Sequence, residues 1–220
     1  MPERVYDFLF ILFSPLCHQI TERSFQSFDG LQFFVCARDT GTYLGFFFSF
    51  IMYKKNKFEI PIFPLVILFF IHLLLFGLDG LTSYMHIRET NNFIRYFTGF
   101  YFGFFLGLIF QYLEFFLFKP SQIVSGFKKY EGIHKAIFVE FLCSILFVVT
   151  LLLMKYLLYL LVIAIFFYMY KLVGLILRVF FMSERRLWYY LAFSLIFILI
   201  FSLVFSVGIN KIHIVHKFYR

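Results

Sequence analysis

The residues best equipped for chemistry fall in two short polar stretches of an otherwise apolar chain. The first reads Cys17-His18-Gln19 and then Cys36-Ala37-Arg38-Asp39. Cysteine, histidine and aspartate are all competent ligands for zinc or another divalent metal. The two-residue gap between Cys36 and Asp39 lets both side chains approach one ion, so the candidate metal set is Cys17, His18, Cys36 and Asp39. Two other readings stand beside it. Cys17 and Cys36 can close a disulfide on a face that permits oxidation, or they are unrelated thiols. Asp39 can simply cap a helix that opens at Thr40.

The second stretch reads Asp79-Gly80-Leu81-Thr82 and then Arg88-Glu89-Thr90-Asn91-Asn92-Phe93-Ile94-Arg95. If a helix opens near Glu89, then Arg88, Asn92, Arg95 and Gly99 follow a 4-3-4 spacing and share one helical face. Unpaired N–H groups at a helix N-terminus favour anions. Two arginines on that face suit a phosphate or carboxylate, which makes Arg88, Asn92 and Arg95 the candidate anion-binding residues. The competing reading has the arginines snorkel to headgroups and anchor the helix. Asp79 ends an apolar run. It is the candidate catalytic carboxylate, able to pair with Arg88 or Arg95, to orient a partner or to move a proton.

These stretches are set in a chain of 220 residues that is 62% apolar, with 39 phenylalanines and only 15% charged residues. Soluble domains run at roughly 45–50% apolar, and the mean hydropathy here is +0.89. Such a chain is not disordered, collagenous or coiled-coil, and a soluble globule has too little interior to hide it. The formal charge of +8 does not point to nucleic acid. Much of the lysine lies in short loops between apolar runs, as in loops that face the cytoplasm, and no basic patch alternates with stacking aromatics. The expected partner is the lipid bilayer of the cell membrane.

The elements that must position the polar stretches follow from the apolar runs. Residues 5–16 cover about 18 Å as a helix, too short for a hydrocarbon core of ~30 Å. They read as an interfacial or re-entrant helix ended near Pro15. The flanking Glu3 and Asp7, and the lack of a small-residue cleavage site, argue against a signal peptide. Spans are expected at about 40–53, 61–78, 93–118, 136–154, 156–178 and 188–207, with a turn near Lys155 inside the long run 136–182. The expected fold is therefore all-α, a polytopic transmembrane helical bundle of about six spans plus the short N-terminal helix. It divides into a motif-bearing part, 1–118, and additional helices, 119–220.

Lysines at 54, 55 and 57, and four more between 119 and 135, put those two loops inside by the positive-inside rule. Segments 17–39 and 79–92 are separated by two crossings, so they share the other, extracytoplasmic face. Gly99, Gly103 and Gly107 form a small-residue stripe, matched by Gly41 and Gly45, which predicts close packing of spans one and three. That pairing would bring the two polar stretches to one end of the bundle. Deeper ionisable or polar groups are His72, Gln111, Glu114, Glu140 and Lys171; Cys143 reads as a small packed hydrophobe.

Taken together, these segments resemble a family of uncharacterised prokaryotic membrane proteins known only as a domain of unknown function. Its pattern is C-H-Q-x-x-x-R-S-F, C-A-R-C-T-G-x-Y-L-G, D-G-x-T-Q and R-x-S-x-N-x-x-R-x-x-T-G. The chain shows Cys17-His18-Gln19 with Arg23-Ser24-Phe25, and Cys36-Ala37-Arg38-Asp39-Thr40-Gly41-Thr42-Tyr43-Leu44-Gly45. It also shows Asp79-Gly80-Leu81-Thr82, Arg88, Asn92, Arg95, Thr98 and Gly99. The resemblance covers about residues 15–107. The family's Cys-His followed by Cys-x-x-Cys implies a metal site. Asp39 replaces the last cysteine with a harder ligand.

The functional expectation is a metal and anion site on the extracytoplasmic face, for a lipid headgroup or small molecule, with metal-assisted hydrolysis or transfer on a lipid-linked substrate as its enzymatic form. The alternatives are a transporter component, and a structural or assembly protein with a Cys17–Cys36 disulfide.

Overall fold

The computed structural model describes residues 3–14, 16–17, 19–27, 30–52, 62–118, 132–153 and 156–181. Its helices are α1 (Glu3–Phe13), α2 (Ala37–Met52), α3 (Ile62–Tyr84), α4 (Asn92–Phe118), α5 (Gly132–Leu152) and α6 (Leu157–Phe181), with a single 3-10 turn at Thr21–Arg23. The fold is all-helical, a membrane bundle. The expected spans one to five coincide with α2 to α6 within a few residues, except that α3 continues to Tyr84. Helix α5 stops at Leu152 and α6 starts at Leu157, so the long apolar run is broken into two helices as the length argument requires; Lys155 itself lies outside the described residues. The expected sixth span lies outside the described residues.

The count of about six spans is corrected by length. Among the described residues, three helical stretches are long and apolar enough to cross a membrane: Ile62–Tyr84, Asn92–Glu114 and Leu157–Ile176. Helix α2 has 16 residues, about 24 Å of rise against a core of ~30 Å. The apolar part of α5, Ile137–Leu152, is similarly short.

Residues form two compact units, 1–36 with 166–220, and 37–165. In the first, α1 buries Leu9, Leu12 and Phe13 together with Phe33, Phe34 and Val35 of the polar segment. The Phe13 and Phe34 rings lie 5.7 Å apart. Gln19 straps this unit together: its side-chain amide donates to the carbonyls of Phe10 (2.7 Å) and Phe34 (2.9 Å). The Gln32 amide returns a bond to the Gln19 carbonyl at 2.7 Å. The Tyr6 hydroxyl donates to the Gln32 carbonyl at 2.8 Å. Val5, Phe8 and Ile11 face outward on α1, as expected of an interfacial helix.

In the second unit, α2 and α4 pack most closely. A Cβ placed on Gly41 would strike the Tyr96 carbonyl and the Phe100 amide. One on Gly45 would strike the backbone of Phe100 and Phe104. From the other side, Gly99 and Gly103 lie against the carbonyls of Arg38 and Thr42, and Gly107 against Ser49. The two glycine stripes therefore face each other, as their spacing predicts, and backbone meets backbone because no side chain intervenes.

Helix α3 packs on α4 with two unlike faces. Phe63, Ile67, Phe70, Leu74, Leu78 and Leu81 form an exposed apolar stripe of the kind that meets lipid. The buried residues of α3 are Leu65, His72, Asp79 and Ser83. Three of these four are polar, so this helix turns its chemistry inward.

Candidate functional site

Asp79 sits on the inward face of α3, a little more than a turn before the helix ends, and its side chain is 3% exposed. The carboxylate is occupied on both oxygens. Arg38, in the first turn of α2, donates to Oδ2 from Nε at 3.2 Å and again from Nη2. Arg88 donates from Nη2 to Oδ1 at 3.3 Å. The Thr98 hydroxyl of α4 points at Oδ2 from 3.4 Å. Thus one buried anion gathers donors from α2, from the α3–α4 loop and from α4. The Arg38 guanidinium also lies 5.7 Å from the centre of the Phe76 ring, where the ring face attracts a cation. Gly80 leaves the room it needs: a Cβ there would approach Arg38 Nη1 to 3.3 Å.

The loop between α3 and α4 is folded onto the same place. Backbone N–H groups of Ile87 and Arg88 both donate to the Thr82 carbonyl, at 3.0 and 3.3 Å. The Asn91 side chain accepts from the Ile94 amide at 2.8 Å, the geometry of an N-cap, so α4 opens at Asn92 rather than near Glu89. This corrects the expected common face. Arg88 belongs to the loop, and the 4-3-4 register does not extend to it, because Asn91 captures the helix start three residues later. Arg88 still reaches the cluster, by way of the loop. Arg95, in the first turn of α4, donates to Thr90 Oγ1 (2.9 Å), Asn92 Oδ1 (3.2 Å) and Ser83 Oγ (3.3 Å). It ties the loop to both flanking helices, and Asn92 helps to aim it.

Asp79, Arg88, Asn92 and Arg95 are therefore brought to one end of the α2–α3–α4 bundle. The contact between Arg38 and Asp79 also places the start of α2 and the end of α3 at the same end, so the two helices run antiparallel. Arg38 is the residue the sequence reading passed over, because Cys36 and Asp39 beside it drew attention as ligands. A signal was present: Arg38 stands three and seven residues before Gly41 and Gly45. It therefore extends the very stripe that packs on α4. Three guanidinium groups accompany one carboxylate here, a surplus of two positive charges among these four residues. Arg88 presents the surplus outward, with its side chain 54% exposed against 20% for Arg38.

In the other unit, Cys17 and Cys36 are neighbours. The Cys36 amide donates to Cys17 Sγ at 3.2 Å, and both residues are half-buried thiols. His18 lies outside the described residues. Asp39 stands in the first turn of α2, where a carboxylate complements the helix dipole. Outside the spanning helices, burial raises the Tyr6 phenol above its ordinary pKa, against the lowering effect of its bond to the Gln32 carbonyl.

Comparison with known proteins gives four findings. A family model described as "Predicted membrane protein (DUF2085)" matches residues 17–109, the part that holds every residue of the Arg–Asp cluster. Uncharacterized protein MJ1492 of Methanocaldococcus jannaschii is 38% identical over 100 residues, 44% of this chain and 62% of that protein. An uncharacterized protein of Methanothermobacter thermautotrophicus is 41% identical over 90 residues, 40% of this chain and 77% of that relative. The chain thus spans less than two thirds of the first relative. No solved structure matches it.

Proposed function

The chain belongs to the DUF2085 family of membrane proteins, and on that premise we propose that the end of the α2–α3–α4 bundle that holds Asp79 binds an anionic group. The chemical class is a phosphate or carboxylate, carried by a lipid headgroup, a lipid-linked substrate or a small molecule, on the extracytoplasmic face. The observation that carries this reading is the unequal pairing at Asp79. The buried carboxylate holds Arg38 and Arg88 in place, while Arg88 gives it one N–H and keeps more than half of its side chain exposed. A guanidinium has five donors in a planar fork suited to oxyanions. Asp79 acts in this reading as the residue that positions the arginines.

The test uses the purified protein in nanodiscs of phosphatidylcholine, with phosphatidylglycerol and inorganic phosphate as separate probes. Wild type should retain phosphatidylglycerol or phosphate at least about tenfold better than Arg88→Ala, since one charge-assisted pair is worth roughly 1.5–3 kcal/mol. Equal retention by the two proteins would overturn the reading. Phosphatidylglycerol alone responding identifies a headgroup site; phosphate responding as well identifies a site for the bare anion.

A second reading is favoured by one observation, the 3.2 Å approach of the Cys36 amide to Cys17 Sγ. Two adjacent sulfurs with an N–H donor suit thiolates that hold zinc or another divalent ion; His18 and Asp39 are the further ligand types that the sequence offers. Bound metal would open the way to metal-assisted hydrolysis or transfer. Metal analysis of the protein and of Cys17→Ser and Cys36→Ser checks it. Stoichiometric metal lost in both variants supports the reading, and a metal-free protein with a Cys17–Cys36 disulfide sinks it.

A further inference from the structure

A second polar site lies deeper in the same bundle, away from the arginines. His72 is eleventh of the 23 residues of α3, about 15 Å of helix from its start. Glu140 is ninth of the 21 residues of α5, about 12 Å in. His72 therefore stands near the middle of a helix long enough to cross a hydrocarbon core of ~30 Å, and Glu140 stands in the first turn of the apolar stretch Ile137–Leu152 of α5. The two meet: His72 Nε2 is 3.2 Å from Glu140 Oε1 and 3.3 Å from Oε2.

The surroundings fit a charge that comes and goes. The imidazole stacks on the Phe105 ring at 4.8 Å and 10°, and lies 5.1 Å from the Tyr101 ring. Aromatic faces favour a cation. The Tyr101 hydroxyl is 2.7 Å from Ser144 Oγ, which itself donates to the Glu140 carbonyl. The titratable groups beside the pair are Tyr101 from α4, whose ring lies against the imidazole, and Cys143 from α5, three residues after Glu140. Among the described residues no Lys or Arg is paired with Glu140. The two side chains differ in burial: that of His72 is 9% exposed and that of Glu140 34%.

We propose that His72 and Glu140 form a proton-binding site inside the membrane, with Glu140 as the end that exchanges the proton. The balance is simple. With one proton between them, the pair is imidazolium with carboxylate, or imidazole with carboxylic acid, and net neutral in either form. Uptake of a second proton on the Glu140 carboxylate gives imidazolium beside neutral acid, net +1. Loss of the only proton gives imidazole beside carboxylate, net −1. Low dielectric penalises both charged forms, so protonation here is linked to whatever else brings or removes charge. This site shares no residue with the Arg–Asp cluster and stands whether or not that cluster binds anions.

The test is infrared difference spectroscopy of the full chain in bilayers, with isotope-labelled glutamate, as the buffer pH is stepped. A labelled carboxyl band should appear and vanish reversibly, be absent in Glu140→Gln, move to a different pH in His72→Gln, and be unchanged in Arg88→Ala. If Glu140→Gln does not fold, Glu140→Asp carries the test, because it keeps an acid at the site: the labelled glutamate band must then disappear and a labelled aspartate band replace it at a displaced pH. A band unaffected by His72→Gln, or still present when Glu140 is replaced, overturns the proposal. A purely structural ion pair would give changed stability and no reversible band.

Discussion

At the scale of single residues, Asp79 decides the most. It is buried, and the side chains that hold it come from three elements. Asp79→Asn leaves Arg38 with a neutral acceptor, and Asp79→Ala leaves it with none. The expected loss for Asp79→Ala is about 2–3 kcal/mol, at or below the low end for a broken buried pair because both arginines retain some solvent. Arg88→Ala should cost less than about 1 kcal/mol, since that guanidinium is more than half exposed. Denaturant unfolding of the two variants in one detergent checks the order; equal losses would show that Arg88 is held as firmly as Arg38. Gln19 makes the complementary point. It stands beside the candidate ligands Cys17 and His18, and its amide is spent on two backbone carbonyls, which is a structural task.

At the scale of elements, the governing contact is the approach of α2 to α4. Gly45→Ala and Gly103→Ala each put a methyl group into the partner's backbone. Over-packing of this kind costs about 1–3 kcal/mol. Gly77 is a control on a neighbouring helix: nothing lies within 4 Å of a Cβ built there. Gly77→Ala should be neutral or stabilising by up to about 1 kcal/mol from helix propensity alone. Thermal unfolding of the three variants separates packing glycines from incidental ones, and a stabilised Gly103→Ala would contradict the close approach. This contact was legible beforehand, because a 4-residue glycine period has one strong physical meaning in apolar helices. The start of α4 was not, because five polar residues in a row, Arg88 to Asn92, offer several caps and only the fold selects Asn91.

At the scale of the whole molecule, the chain is a multi-pass membrane protein, and the described helices long enough to cross number three. The Arg38–Asp79 pair places the start of α2 and the end of α3 at one end of their bundle. The lysine-rich loops read from the sequence, 53–61 and 119–131, lie outside the described residues. In a background without native cysteines, a membrane-impermeant maleimide should label His86→Cys from outside the cell and Lys129→Cys only after the membrane is opened. The reverse pattern would invert the orientation and move the arginine cluster to the cytoplasm. The family match ends at residue 109, so α5, which supplies Glu140, lies outside the matched region.

The sequence by itself determined the compartment, the helical class, the element order and the pairing of α2 with α4. These depend on apolar run length and on residue size, both of which are local and periodic. It also singled out Asp79, Arg88, Asn92 and Arg95, because charged and amide side chains are conspicuous in an apolar chain. Only the tertiary structure decided who holds whom. Arg38 rather than Arg95 takes Asp79, Arg95 instead clamps the loop, and His72 finds Glu140 sixty-eight residues away. Those choices depend on which helix faces meet and at what height, and ion pairs between distant residues carry no periodic trace in the sequence of either helix.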